Sequence, residues 1–173
     1  MKVQASDRIL NAPSAAESLS LFEDVLETGA TLRVKVTGRS MAPFLEGTEI
    51  LTIRQVPCSS LRKGDLIFFK DRLGDPVVHR VVKKRRNGNA GITFQTKGDA
   101  MTVTDEPVSD KDILGKVCKV ERGQRHVNLE AGTQVVLNYL AAVTGLFEAR
   151  LRVTARAVLH FVKAVGMIGK GGT

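Results

Sequence analysis

Between Thr31 and Glu121, apolar residues recur at every second position in a series of short runs: "TLRVKVT", "EILTIRQV", "DLIFFK", "PVVHRVVK", "GITFQTK" and "ILGKVCKVE". A period of two puts successive side chains on opposite faces of an extended chain, whereas an amphipathic helix needs a period near 3.6. Each run is bounded by Gly, Asp, Pro or Asn, the residues that turn a chain between strands. The sequence therefore predicts one β-rich domain over residues 31–121. The run around His79 is apolar on both faces, which predicts a central strand.

The flanks follow another rhythm. Residues 1–13 carry no pattern and read as a loose tail. Ser14 and Glu17 then form a capping box before Leu19, Phe22, Val25 and Leu26, which predicts a short amphipathic helix over 15–28, closed by Gly29. Beyond the β-domain, "GQRHVNLEAGT" reads as a turn or strand, and a helical period continues to about Val165. There Leu151, Ala155, Val158, Val162 and Val165 share one face, while Arg152, Arg156, His160 and Lys163 share another. Such a basic amphipathic helix either covers the β-domain or, through residues 148–165, contacts an anionic membrane peripherally. The tail "GMIGKGGT" reads as flexible. The expected fold is thus mainly β, with amphipathic helices flanking it at both termini, divided as 1–30, 31–121 and 122–173.

Composition narrows the class of function. Twenty-six Lys and Arg against eighteen Asp and Glu give a net charge of +8, which favours anionic partners. The densest basic run, "KKRRNGNAG", ends in Asn-Gly and reads as a hairpin tip, with Lys83, Lys84, Arg85 and Arg86 in water. Seven Phe and one Tyr, none interleaved with that run, offer no stacking platform and disfavour nucleic acid. Cys58 and Cys118 stand far apart with no metal-ligand spacing, so neither a disulfide framework nor a zinc site is expected. There is no apolar signal-peptide region and no uninterrupted apolar span of membrane-crossing length. A cytoplasmic or peripherally membrane-associated location is expected.

Three polar motifs interrupt the strands in order: "GRSM" with Ser40, "VVHRVV" with His79, and "TKGDAMTVTD" with Asp99 and Asp105. Taken singly, each has a plain structural explanation as a turn serine, a core histidine or a turn aspartate. Together they supply a nucleophile, a base to take its proton, and a carboxylate to orient that base.

These stretches, with "GRSMAPFLEGTEILTI", "LRKGDLIFF" and "ILGKV", resemble the successive sequence boxes of the signal peptidase I superfamily, which also contains LexA-like autoproteolytic repressors. The resemblance covers roughly residues 31–120. It implies that Ser40 is the nucleophile and that His79 is the base, where the bacterial branch carries lysine. The match is thus to the Ser-His branch of endoplasmic-reticulum and archaeal type. It further implies Asp105 as the catalytic aspartate and Asp99 as a supporting one, with either able to orient His79. Gly38, Arg39, Met41 and Pro43 fall where the family binds the oxyanion or the substrate.

The implied activity is a serine endopeptidase that cleaves a leader or signal peptide after small residues, without metal or cofactor. Its partner is a peptide or precursor protein bound extended along a strand edge. Two departures stand out. Gly38 occupies the first serine of the family's usual Ser-Gly-Ser-Met, leaving the backbone N–H groups of Ser40 and Arg39 to hold an oxyanion. The family's membrane span before the nucleophile strand is replaced by a polar helix. These departures motivate two alternatives, a catalytically silent peptide-binding module of the same fold and a LexA-like regulatory autoprotease. The latter needs an upstream DNA-binding domain that some thirty residues with one helix do not supply.

Overall fold

The computed structural model describes residues 2–4, 15–88, 91–132, 135–138 and 140–142. Its period-two segments are strands, and the architecture is mainly antiparallel β. The chain runs β1 (Lys2–Gln4), α1 (Ala15–Glu27), β2 (Thr31–Thr37), β3 (Ile50–Arg54), β4 (Leu66–Lys70), β5 (Pro76–Arg86), β6 (Ile92–Lys97), β7 (Val108–Ser109), β8 (Ile113–Arg122) and β9 (Arg125–Asn128). In space the order is β1-β2-β3-β8-β4-β5-β6-β7, with β9 added to β8. β5 lies between β4 and β6, which explains why its first seven residues are buried on both faces.

Two apolar layers account for the alternation. Leu66 and Phe68 of β4 join Val34, Val36 and Leu51 in one core, which α1 covers with Phe22 and Leu26. Ile67 and Phe69, facing the other way, join Val81, Phe94 and Val108 in a second. Each such side chain withdrawn from water contributes roughly 1.5–3 kcal/mol. Phe22 meets Phe68 edge-on at 5.8 Å between ring centroids, pinning α1 to the sheet. The helix ends where Gly29, at φ 80°, donates its N–H to the Leu26 carbonyl. Ser14 lies outside the described residues.

Two sequence expectations change. Lys2–Gln4, expected to be loose, is a strand that pairs with both β2 and β5, Lys2 facing Thr37 on one and Val77 on the other. The sheet thereby curls back on itself and brings the exit of β2 beside the start of β5. In the basic run, Lys84 is not a solvated tip residue. Its ammonium donates to the carbonyls of Cys58, Ser59 and Leu61 and lies 5.6 Å from the Phe94 ring centroid. Burial pushes its pKa down, as withdrawal from water disfavours the charged form.

After β9, residues 135–138 and 140–142 are helical. The basic helix expected over 148–165 and the tail lie outside the described residues. Among the described residues, no helix is long and apolar enough to cross a membrane.

Candidate active site

Ser40 stands in the turn that follows β2. Gly38 opens this turn at φ 88°, a left-handed conformation that costs a residue with Cβ about 1–2 kcal/mol. The Ala42 N–H then donates to the Arg39 carbonyl and the Leu45 N–H to the Met41 carbonyl, at 3.1 and 2.8 Å. Met41 and Leu45 plunge into the core. Arg39 and Pro43 remain exposed, and Ala42-Pro43 is a cis peptide bond. Apolar anchors below and an exposed rim above leave Ser40 half-buried at the surface.

The return from the turn is held by Glu49, only 2% exposed. Its carboxylate accepts the N–H groups of Glu46, Gly47 and Thr48 at 3.0–3.1 Å and the Arg122 guanidinium at 3.1 Å. Burial alone would raise its pKa, but the backbone donors outweigh that and hold it below its usual value. Arg122 and Arg80 lie over the Phe44 ring, their guanidinium carbons 5.7 and 5.0 Å from its centroid.

His79, 7% exposed, projects from β5 towards this turn. Its Nε2 lies 3.0 Å from Ser40 Oγ, and its Nδ1 lies 2.6 Å from Asp105 Oδ2. The three side chains thus form one continuous hydrogen-bond chain. Thr96, fully buried on β6, donates its hydroxyl to the same Oδ2 at 2.6 Å and accepts the Asp105 N–H on its carbonyl at 2.9 Å. Burial tends to raise the Asp105 pKa, but the hydrogen bond and charge of His79 and the Thr96 hydroxyl prevail, leaving it below its usual value. With Nδ1 protonated towards Asp105, Nε2 presents an acceptor lone pair to the Ser40 hydroxyl.

Asp99 is held by the residue after His79. Both of its oxygens meet Arg80, from Nε at 2.8 Å and Nη2 at 2.7 Å, in a bidentate pair whose arginine is 1% exposed and also donates to the Gly64 carbonyl. Beside it, Gly98 lets the loop press against the turn. A Cβ there would lie 2.6 Å from the Ser40 carbonyl oxygen and 3.1 Å from His79 Nε2. The loop is also tied to the turn by the Ala100 N–H, which donates to that carbonyl at 2.9 Å. Thr96, Gly98, Arg80 and Glu49 carry this geometry, yet sequence reasoning gave them no role. Each lay inside a motif that drew notice, but nothing in the spacing announces which polar groups meet.

A cleft of about 700 Å³ opens against His79 and Asp105, with Phe69 and Val77 on its apolar wall and Pro107 and Val108 beyond. Among the described residues, no group of three or more His, Cys, Asp or Glu side chains is arranged to hold a metal ion.

No family model matches the chain. Among curated proteins it is 34% identical over 86 residues to signal peptidase I W of Bacillus subtilis, a match covering 49% of this chain and 45% of that protein. It is 32% identical over 92 residues to the signal peptidase complex catalytic subunit SEC11C of Homo sapiens and of Canis lupus familiaris, covering 48% of each chain. The chain spans about half the length of the curated relatives it matches. These relatives support the signal peptidase I family, as the resemblance of the sequence boxes does.

Proposed function

We propose that this protein is a serine endopeptidase of the signal peptidase kind, acting on a peptide or precursor protein. The observation that carries the reading is the unbroken chain from Ser40 Oγ through the His79 imidazole to Asp105 Oδ2, at 3.0 and 2.6 Å. Kinship with signal peptidases points to peptide hydrolysis.

In this reading Ser40 Oγ attacks the scissile carbonyl carbon as His79 Nε2 takes its proton. Asp105 stabilises the imidazolium, and backbone N–H groups at Ser40 and Arg39 face the developing oxyanion. Collapse of the tetrahedral adduct breaks the C–N bond. The amine leaves with the proton from Nε2, and an ester remains on Ser40. Water then gives a proton to Nε2 and attacks the ester, releasing the carboxylate product and restoring the serine. The peptide lies extended along a strand edge past Ser40, with small residues before the cut.

A fluorophosphonate probe tests the reading, because it phosphonylates only an activated serine. The wild-type chain should label at Ser40 and cleave a signal-peptide substrate. Ser40→Ala should do neither, with its Tm nearly unchanged. A wild-type chain that resists the probe while folded would favour the silent peptide-binding module instead, the alternative that Gly38's missing hydroxyl suggests.

A further inference from the structure

Strand β1 sits between the two strands that lead to Ser40 and His79. On β2, one edge pairs with β3 and the other with β1, where Lys2, Val3 and Gln4 lie opposite Thr37, Val36 and Lys35. On β5, Val77 pairs with Phe69 of β4 on one edge and with Lys2 on the other. β6 takes that second edge only from Arg80 onwards. Between Thr37 and Val77, therefore, β2 and β5 border a slot one strand wide, roughly 10 Å from strand to strand, and β1 fills it.

Both strands run from this slot straight to the hydrogen-bonded pair. Ser40 follows Thr37 by three residues and His79 follows Val77 by two, on the side of Lys2 away from Gln4. At ~3.3 Å per strand residue, Lys2 lies roughly 7–10 Å short of them. An extended peptide whose scissile carbonyl meets Ser40 draws its main-chain hydrogen bonds from strand edges beside it. The edges of β2 and β5 lie in its path, and β1 already pairs with them over positions about two to four residues from the cut.

We propose that β1 is an autoinhibitory strand, which occupies in cis the edges of β2 and β5 that an extended substrate needs and is displaced when the substrate binds. The regulated step rests on the peptidase reading. Three residues make few main-chain bonds, so a longer peptide that pairs with the same edges can replace them. Residues 5–14 tether β1 to α1, which keeps it beside the slot at an effective concentration on the order of millimolar. Substrate then binds only the fraction of molecules whose slot is open, and its apparent affinity is reduced by that fraction. Weakly pairing peptides are excluded, and long extended ones are admitted.

The test locks and unlocks the strand in the full chain. Lys2 and Thr37 are direct partners, and antiparallel partners lie about 4.5–5.5 Å apart at Cα, within reach of a disulfide. Lys2→Cys with Thr37→Cys, once oxidised, should cleave a fluorogenic dodecapeptide with small residues at its centre at least about tenfold more slowly, and dithiothreitol should restore the rate. Fluorophosphonate, too small to need the slot, should label Ser40 equally in both forms. Val3→Pro with Gln4→Pro opens the strand instead, because neighbouring residues face opposite edges and each proline removes one donor. That variant should lower KM roughly five- to thirtyfold with labelling unchanged, the gain expected where about 3–20% of molecules are open. An oxidised chain that cleaves as fast as the reduced one, or a proline variant whose KM does not fall, overturns the proposal. A wild-type chain that resists fluorophosphonate would instead remove the peptidase reading. The lock is then read by the anisotropy of the same peptide, fluorescently labelled, on chains that also carry Ser40→Ala: binding to the reduced form and not to the oxidised one leaves the autoinhibitory strand standing, and equal binding overturns it.

Discussion

The two aspartates offer the sharpest test, because their surroundings assign them unequal work. Asp99→Asn breaks a bidentate pair with an arginine that is 1% exposed. Removing one partner of a buried pair costs about 3–5 kcal/mol. Arg80 keeps the Gly64 carbonyl and the Phe44 ring, and asparagine retains one acceptor, so about 2–4 kcal/mol is expected. For a chain of this size that is a fall in Tm of about 5–15 °C. Asp105→Asn differs. Its amide oxygen can still accept from the buried Thr96 hydroxyl, so the Tm should fall by only about 3 °C or less. The imidazolium, however, loses its counter-charge, and an amide turned the other way would fix the wrong tautomer. The fluorophosphonate labelling rate should then fall by about 10²–10⁴.

Urea unfolding gives the stability and probe labelling the rate, both measured well below the lower Tm. Asp105 also predicts an acid limb. Its folded pKa is depressed, so its contribution to stability is complete above the ordinary value of 3.8 and is lost as pH falls through the folded one. Asp105→Asn should flatten that limb. If Asp99→Asn kept the wild-type Tm yet lost the labelling that Asp105→Asn retained, the division of work would be reversed.

Gly98→Ala would drive a Cβ to 2.6 Å from the Ser40 carbonyl oxygen, a backbone atom that cannot swing aside. Labelling should drop at least about a hundredfold, because a displacement near 1 Å is enough to do so; a wild-type rate would show that the loop yields. Glu49→Gln should cost about 1.5–3 kcal/mol in urea melts. Since the folded pKa of Glu49 is lowered, the wild type should lose that advantage as pH falls below about 4.5, and the variant should not. Phe44→Leu removes a ring shared by two guanidinium groups and should cost about 1–3 kcal/mol, with a larger cost in the Asp99→Asn background, where that ring is one of the contacts Arg80 keeps. Additive losses would separate the ring from the ion pair.

Much of the fold was legible in the chain because alternation is a local property. The "DLIFFK" run was the harder case, being apolar throughout, and its explanation is that Leu66 and Phe68 serve one core while Ile67 and Phe69 serve another. Strand β1 was illegible. Three residues carry no period, and their pairing with Thr37 and Val77 depends on partners far along the chain. Lys84 failed for a related reason, since its three acceptor carbonyls belong to a segment twenty-odd residues earlier. At the site, Ser40, His79, Asp99 and Asp105 were all singled out, but which aspartate faces the imidazole was open. Two turn aspartates look alike in sequence. What separates them is Thr96, whose carbonyl and hydroxyl draw Asp105 to β6 and so to the neighbouring His79 on β5.

The same reasoning changes the meaning of Gly38. Against the family's Ser-Gly-Ser-Met, its glycine looks like a lost oxyanion donor. Yet at φ 88° the backbone here disfavours any side chain, and Gly47 packs so closely that a Cβ on it would lie 2.5 Å from the Gly38 carbonyl oxygen. Two backbone segments touch at that point, and Glu49 fixes the contact by accepting the N–H groups of Gly47 and its neighbours. Arg122 holds Glu49, Phe44 lies under both Arg122 and Arg80, and Arg80 holds Asp99 on the opposing loop. The missing hydroxyl is therefore one feature of a turn whose shape is set by glycine contacts and braced from both sides. In the proposed mechanism, such a turn makes backbone N–H groups rather than an added side chain the natural donors to an oxyanion at Ser40.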